Sequence, residues 1–156
     1  MTILARVVPW LVALVLMSAC GPREDPARVE LRARLKQSTP LADADLGRVL
    51  DEVGRSLAGK TVRFNQDGVT KELDPEQRDV VLGMLTSRIG VYDEGLKTNG
   101  DRTVRVLNAP GKSNYAEYSA ARKLWVDVET FLPRRFEFSY EFQGMGDYAF
   151  DLLIGP

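Results

Sequence analysis

Apolar side chains recur at every second position through most of the last third of this chain, and that alternation limits the fold more than any other feature. Val104 and Val106 alternate with Arg105. Leu124, Val126 and Val128 alternate with Trp125 and Asp127. Phe136, Phe138, Tyr140 and Phe142 alternate with Glu137, Ser139 and Glu141, and Tyr148, Phe150, Leu152 and Ile154 with Ala149, Asp151 and Leu153. A period of two is that of a strand with one buried face. The segments between are short and turn-rich: Asn108-Ala109-Pro110-Gly111, Glu129-Thr130-Phe131-Leu132-Pro133 and Gln143-Gly144-Met145-Gly146. Short turns cannot join parallel neighbours, so the pattern predicts an antiparallel meander, open or curved into a half-barrel. Trp125 points away from Leu124 and Val126, and Lys123, Arg135, Glu137 and Glu141 are expected on the outer face.

Upstream the period is helical. Leu46, Val49, Leu50, Val53 and Leu57 form one stripe of a helix over 43–57, with Asp43 as its cap and Gly59 as its stop. Thr61–Phe64, the turn Asn65-Gln66-Asp67-Gly68 and Val69–Leu73 read as a hairpin. Asp74, Pro75 and Gln77 then form a capping-box start for a second helix, 75–89. Its predicted buried face is Val80, Val81, Met84, Leu85 and Ile89, and Gly90 ends it. Tyr92-Asp93-Glu94-Gly95 and Thr98-Asn99-Gly100-Asp101 read as solvated, turn-rich loops. The expected fold class is α+β: an antiparallel sheet with two main helices packed on one face.

The N-terminus has the layout of an export signal. Arg6 is followed by the uncharged run Val7–Leu16, then Ser18, Ala19 and Cys20. A helix needs about 20 apolar residues to cross a bilayer, and this run is half that. Leu16-Met17-Ser18-Ala19-Cys20 resembles a lipobox, the cleavage site of bacterial lipoprotein signal peptidase, with Met17 where Leu is usual. The resemblance implies removal of residues 1–19 and acyl chains, palmitate among them, on Cys20. It also implies a membrane partner through those chains. Gly21, rather than Asp, then permits transport to the outer membrane, facing the periplasm. Cys20 is the only cysteine, so no intrachain disulfide forms, and acylation removes a free thiol from an oxidising compartment. Residues 20–42 are expected to be a lipidated tether with a marginal helix, begun by Asp25-Pro26 and carrying Arg28, Arg32, Arg34 and Lys36. That basic cluster is either a solvated spacer or a contact for anionic headgroups. The single α+β domain is expected over 43–156.

Composition narrows the chemistry. Loss of Arg6 with the signal leaves 20 basic against 22 acidic residues, which gives no electrostatic reason to bind nucleic acid. The chain has no histidine, which removes His-based acid–base catalysis, Ser-His-Asp and Cys-His sites, and His metal ligation. No catalytic, metal or cofactor motif is legible. Gly111-Lys112-Ser113 matches only the end of a phosphate-binding loop, because position 106 is Val where Gly is required. Asp93, Glu94 and Asp101 lack calcium-loop spacing.

Ten of the twelve aromatics beyond Cys20 lie between Tyr115 and Phe150. The row Phe136, Phe138, Tyr140, Phe142, Tyr148 and Phe150 must be covered, since an exposed apolar row invites association. Either the helices fill that face as core, or they leave a cavity for an apolar ligand such as an acyl chain; a third reading is a partner-binding face. The segment Leu124-Trp125-Val126-Asp127-Val128-Glu129-Thr130-Phe131-Leu132-Pro133-Arg134-Arg135-Phe136 resembles a strand-turn-strand unit of LolA/LolB-like carriers. Those are half-open antiparallel barrels capped by helices that carry lipoproteins or lipids across the periplasm. The resemblance transfers no site residue. The leading expectation is a non-catalytic cell-envelope lipoprotein that binds an envelope protein or apolar ligand, or supports envelope structure. The rival is an enzyme using paired carboxylates on envelope polymers, which needs two acids roughly 5–10 Å apart in a cleft.

Overall fold

The structure, a computed structural model, describes residues 24–112, 119–141 and 147–156. For 110–112, 119–121, 139–141 and 147–148 that description is of the backbone. Cys20 and Phe142 lie outside the described residues, as do the side chains of Tyr140, Glu141 and Tyr148.

Three helices and seven strands follow one another: α1 (Pro26–Leu35), α2 (Asp43–Leu57), β1 (Val62–Gln66), β2 (Val69–Glu72), α3 (Pro75–Thr86), β3 (Tyr92–Asn99), β4 (Arg102–Lys112), β5 (Ser119–Asp127), β6 (Pro133–Glu141) and β7 (Asp147–Ile154). The strands form one open antiparallel sheet in the order β2-β1-β7-β6-β5-β4-β3. The fold is α+β, as expected. The meander begins one strand earlier than the sequence suggested. Residues 92–99, read as loop, pair with β4 from Tyr92↔Asn108 to Asn99↔Arg102. The C-terminal strand closes the sheet onto the first hairpin, with Val62 opposite Ile154.

Local chemistry explains most elements. Asp25 Oδ1 accepts from the Ala27 N–H at 3.0 Å, and Pro26 opens α1. Asp74 Oδ1 accepts from the Gln77 N–H at 2.8 Å, while Gln77 Oε1 accepts from the Asp74 N–H, completing the capping box of α3. Between β1 and β2 the chain reverses over Asp67 and Gly68, both at positive φ, as a two-residue hairpin turn requires. The α2 stripe Leu46, Val49, Leu50, Val53 and Leu57 is buried throughout. The cap of α2 is Ala42 rather than Asp43; Asp43 instead puts a negative charge in the first turn, where the helix dipole favours it.

Two expectations are corrected here. Leu31, Leu35 and Leu41, assigned to a tether with a marginal helix, belong to the hydrophobic core. Of two compact units, the one that holds this core begins at Leu31. Of the face expected for the second helix, Leu85 alone is fully buried; Val80 is 61% and Ile89 85% exposed. The helix also stops at Thr86, because Ser87 turns extended and Arg122 from β5 takes the carbonyls of Met84, Ser87 (2.5 Å) and Ile89 (3.4 Å).

A third correction concerns β4. The sequence pattern put Val104 and Val106 toward the helices, yet Arg105 shares the helix-covered face with Leu107, Leu124 and Val126. Its guanidinium is fully buried. All of its N–H groups are used. It donates to Asp93 Oδ1 (2.8 Å) and Oδ2, and to the carbonyls of Leu35 (3.2 Å), Gln37 and Thr39 (2.6 Å). Asp93 also accepts from the Leu41 N–H at 2.7 Å and the Gly95 N–H at 2.8 Å. On the opposite face Trp125 lies opposite buried Val106, between Lys97 (5.6 Å) and Arg135 (5.9 Å), which pack over its ring.

Burial by itself pushes the Asp93 carboxyl up. The hydrogen bonds from Arg105, Leu41 and Gly95, with the Arg105 charge, outweigh it and hold Asp93 below its ordinary 3.8. A depressed folded-state pKa contributes stability that is present above the unfolded value and lost as pH falls through the folded one. Urea midpoints should therefore hold near neutrality and decline once pH drops below about 4. Arg105→Met, which strands the carboxylate, should cost about 3–5 kcal/mol in the same titration. A loss under 1 kcal/mol would show that the network is not central.

Candidate functional site

The aromatic row divides between two environments. Phe136 is core. Phe138 stacks beside it, centroids 6.3 Å apart, and is half-buried. Phe150, opposite Phe136 in the next strand, is also half-buried and meets Phe64 of β1 at 5.4 Å. Phe64 and Phe150 form the floor of a groove of about 800 Å³. Val69, Lys71 and Leu73 bound it on the hairpin side, and Glu76, Gln77, Val80 and Val81 on the α3 side. The row is thus core at Phe136 and lines an open cleft at Phe150, beside Phe64.

The sheet builds this groove by parity. Phe64 pairs with Lys71 and with Leu152, so the helix-facing side chains of β2 are Val69 and Lys71. The turn at Asp67-Gly68 leaves the hairpin projecting past the core, with all four β2 residues exposed. Val69 and Val80, 58% and 61% exposed, stand at the two lips. The volume lies in the usual 300–1,000 Å³ range of small-molecule pockets.

Helix α3, which walls the groove, is held mainly at its C-terminal end. Leu85 is buried there, and Gly54 of α2 allows close approach, since a Cβ on it would stand 3.4 Å from Thr86 Cγ2. Burial lowers the Arg122 pKa, and the charge rests on carbonyls at the negative end of the helix dipole. At the other end Arg78 donates to the Leu57 carbonyl at 3.3 Å.

The most buried carboxylates are committed elsewhere, Asp93 to Arg105 and Asp127 to a turn. Asp127 is buried at the β5–β6 turn. Its Oδ1 accepts from the N–H groups of Glu129 (2.9 Å) and Thr130 (3.1 Å), and its Oδ2 from Arg102 (3.0 Å) and Arg134 (3.0 Å). Burial raises its pKa, but these bonds outweigh burial and lower it overall. Among the described residues, no group of three His, Cys, Asp or Glu side chains is arranged to hold a metal ion. Of the four basic residues expected near headgroups, Arg34 pairs with Asp45 at 2.7 Å and Lys36 with Glu129 at 2.6 Å.

Comparison with protein-family models, curated proteins and solved structures finds no match for this chain. The groove is therefore read from its own residues. Sequence reasoning found Phe150 and missed Phe64, Val69 and Val80. The available signal was the apolar content of an isolated two-stranded hairpin, which is marginal unless something covers it.

Arg122→Met should remove about 1.5–3 kcal/mol of stability. Amide exchange should accelerate in α3 while α2 stays protected. Equal acceleration across both helices would contradict a local tether.

Proposed function

We propose that this chain is a non-catalytic cell-envelope lipoprotein, anchored through acyl chains on Cys20, whose domain binds an apolar ligand in the groove between the β1–β2 hairpin and α3. One observation carries the ligand reading: the apolar floor of Phe64 and Phe150 opens to solvent beside two exposed valines instead of closing under helix side chains. A chain that needed only a scaffold would gain about 1.5–3 kcal/mol for each such side chain it covered fully. The anchor reading rests on the lipobox-like Leu16–Cys20 and the lone cysteine. With Gly21 after the cysteine, the proposed location is the outer membrane, facing the periplasm. The local resemblance of 124–136 to LolA/LolB-like carriers belongs to the same class of function. No helix among the described residues is long and apolar enough to cross a membrane.

The rival carboxylate enzyme needs an acid that keeps its proton near neutrality. Asp93 and Asp127 move the other way, and both are committed to arginines. No observation favours that reading.

In cells fed a labelled fatty acid, the wild-type chain should take up label and fractionate with outer membrane. Cys20→Ala should do neither, and label on Cys20→Ala would overturn the anchor. For the groove, native mass spectrometry of residues 20–156 carrying Cys20→Ala, purified without detergent, should show bound lipid. That piece contains every core residue among those described. Val80→Glu changes an exposed position, so stability should shift by no more than about 0.5 kcal/mol. The bound mass should disappear. A clean apo mass for the parent protein would end the ligand reading.

A further inference from the structure

Charged side chains are distributed unevenly over this domain. Ion pairs tie down Arg34, Lys36, Arg48, Arg55, Arg88, Lys97, Arg102, Arg105, Lys123, Arg134 and Arg135. None of the charged residues from Lys60 to Asp79 forms one with a described residue, and this is the stretch that folds into the hairpin and the first half of α3. Four of these unpaired charges, Asp67, Lys71, Glu72 and Glu76, stand on the rim of the apolar groove. Both signs are present. Lys71 shares the helix-facing side of β2 with Val69, Asp67 is in the hairpin turn, and Glu76 is in the first turn of α3.

The groove spans three strands, with a floor of Phe64 from β1 and Phe150 from β7 and a wall of Val69, Lys71 and Leu73 on the β2 side. An occupant thus lies across the inner face of the sheet rather than along the β2 edge. That placement suits an apolar chain, which needs no backbone partners, better than an added peptide strand, which takes its affinity from edge hydrogen bonds. About 800 Å³ suits one chain of drug-like bulk. A bare fatty acid would meet Lys71 but set its carboxylate against Asp67, Glu72 and Glu76. A purely cationic amphiphile would meet the acids and be repelled by Lys71.

The geometry points to a single-chain zwitterionic amphiphile as the ligand, its tail over Phe64 and Phe150, its anionic group at Lys71 and its cationic group at Glu76 and Asp67. This rests on the groove-binding reading above and names the headgroup class that the groove selects. A lysophospholipid with a phosphoethanolamine or phosphocholine head has that chemistry.

The test is calorimetric titration of residues 20–156 carrying Cys20→Ala, below micelle-forming concentrations. The four probes are palmitate, palmitoyl lysophosphatidylglycerol, palmitoyl lysophosphatidylethanolamine and a basic, valine-rich peptide. The lysophosphatidylethanolamine should bind at least tenfold more tightly than either anionic probe. Lys71→Glu should weaken it about tenfold, and Glu76→Lys should shift preference toward the lysophosphatidylglycerol. Both positions are exposed, so unchanged urea midpoints confirm that the variants fold. Equal affinity for all three lipids overturns headgroup selection while leaving groove binding intact. Binding of no lipid overturns both. Tighter binding of the peptide than of any lipid overturns the amphiphile in favour of a protein segment.

Discussion

Arg105 brings a positive charge to the helix-covered face of the sheet, and much of the N-terminal packing depends on how that charge is matched. A buried guanidinium without partners would be strongly destabilising. Here Asp93 neutralises it from the neighbouring strand, and three carbonyls of the 35–39 segment take the remaining donors. The same carboxylate holds the Leu41 N–H. One ion pair thus ties the end of α1, the link into α2 and the first two strands of the meander. The β-bulge between Asp93 and Gly95, with Gly95 at positive φ, aims the carboxylate inward.

Asp127 plays a similar part at the β5–β6 turn, gathering two N–H groups and two arginines around one carboxylate. The compact turn carries Phe131 at a φ of 61°, a conformation a bulky residue adopts only under constraint. Its ring is fully buried under Arg32, 5.9 Å away, and its carbonyl accepts from Ser56 at 3.2 Å. Burial of the ring offsets the backbone cost, which is about 1–2 kcal/mol for a left-handed residue.

These two nodes serve the end of the sheet built from β3, β4 and β5. The opposite end has no equivalent. Its strand β2 is exposed, the hairpin's charges form no ion pair with a described residue, and the helix over it is secured mainly at the Arg122 end. Elements that admit ligands are drawn from the less stable parts of a fold, because opening a well-packed region costs too much. The groove lies at this end, away from the Arg105 and Asp127 networks.

Residues 108–111, read as a turn, continue β4 instead and pair with β5. The sequence by itself determined the α+β class, the position of α2, the capped start of α3, the Asp67-Gly68 turn and the alternating stretches of β4 to β7. Those follow from periodicity and capping chemistry, which are local. The tertiary structure alone decided which face Arg105 occupies, because a period of two specifies alternation and not direction. It also decided that residues 92–99 form a strand, since their charges read as solvated until Arg105 of the neighbouring strand is seen to pair with Asp93. Val80 was assigned to a buried face and lines a groove instead: helical spacing shows that a side is apolar, but only the three-dimensional arrangement of hairpin, helix and core shows what, if anything, lies against it.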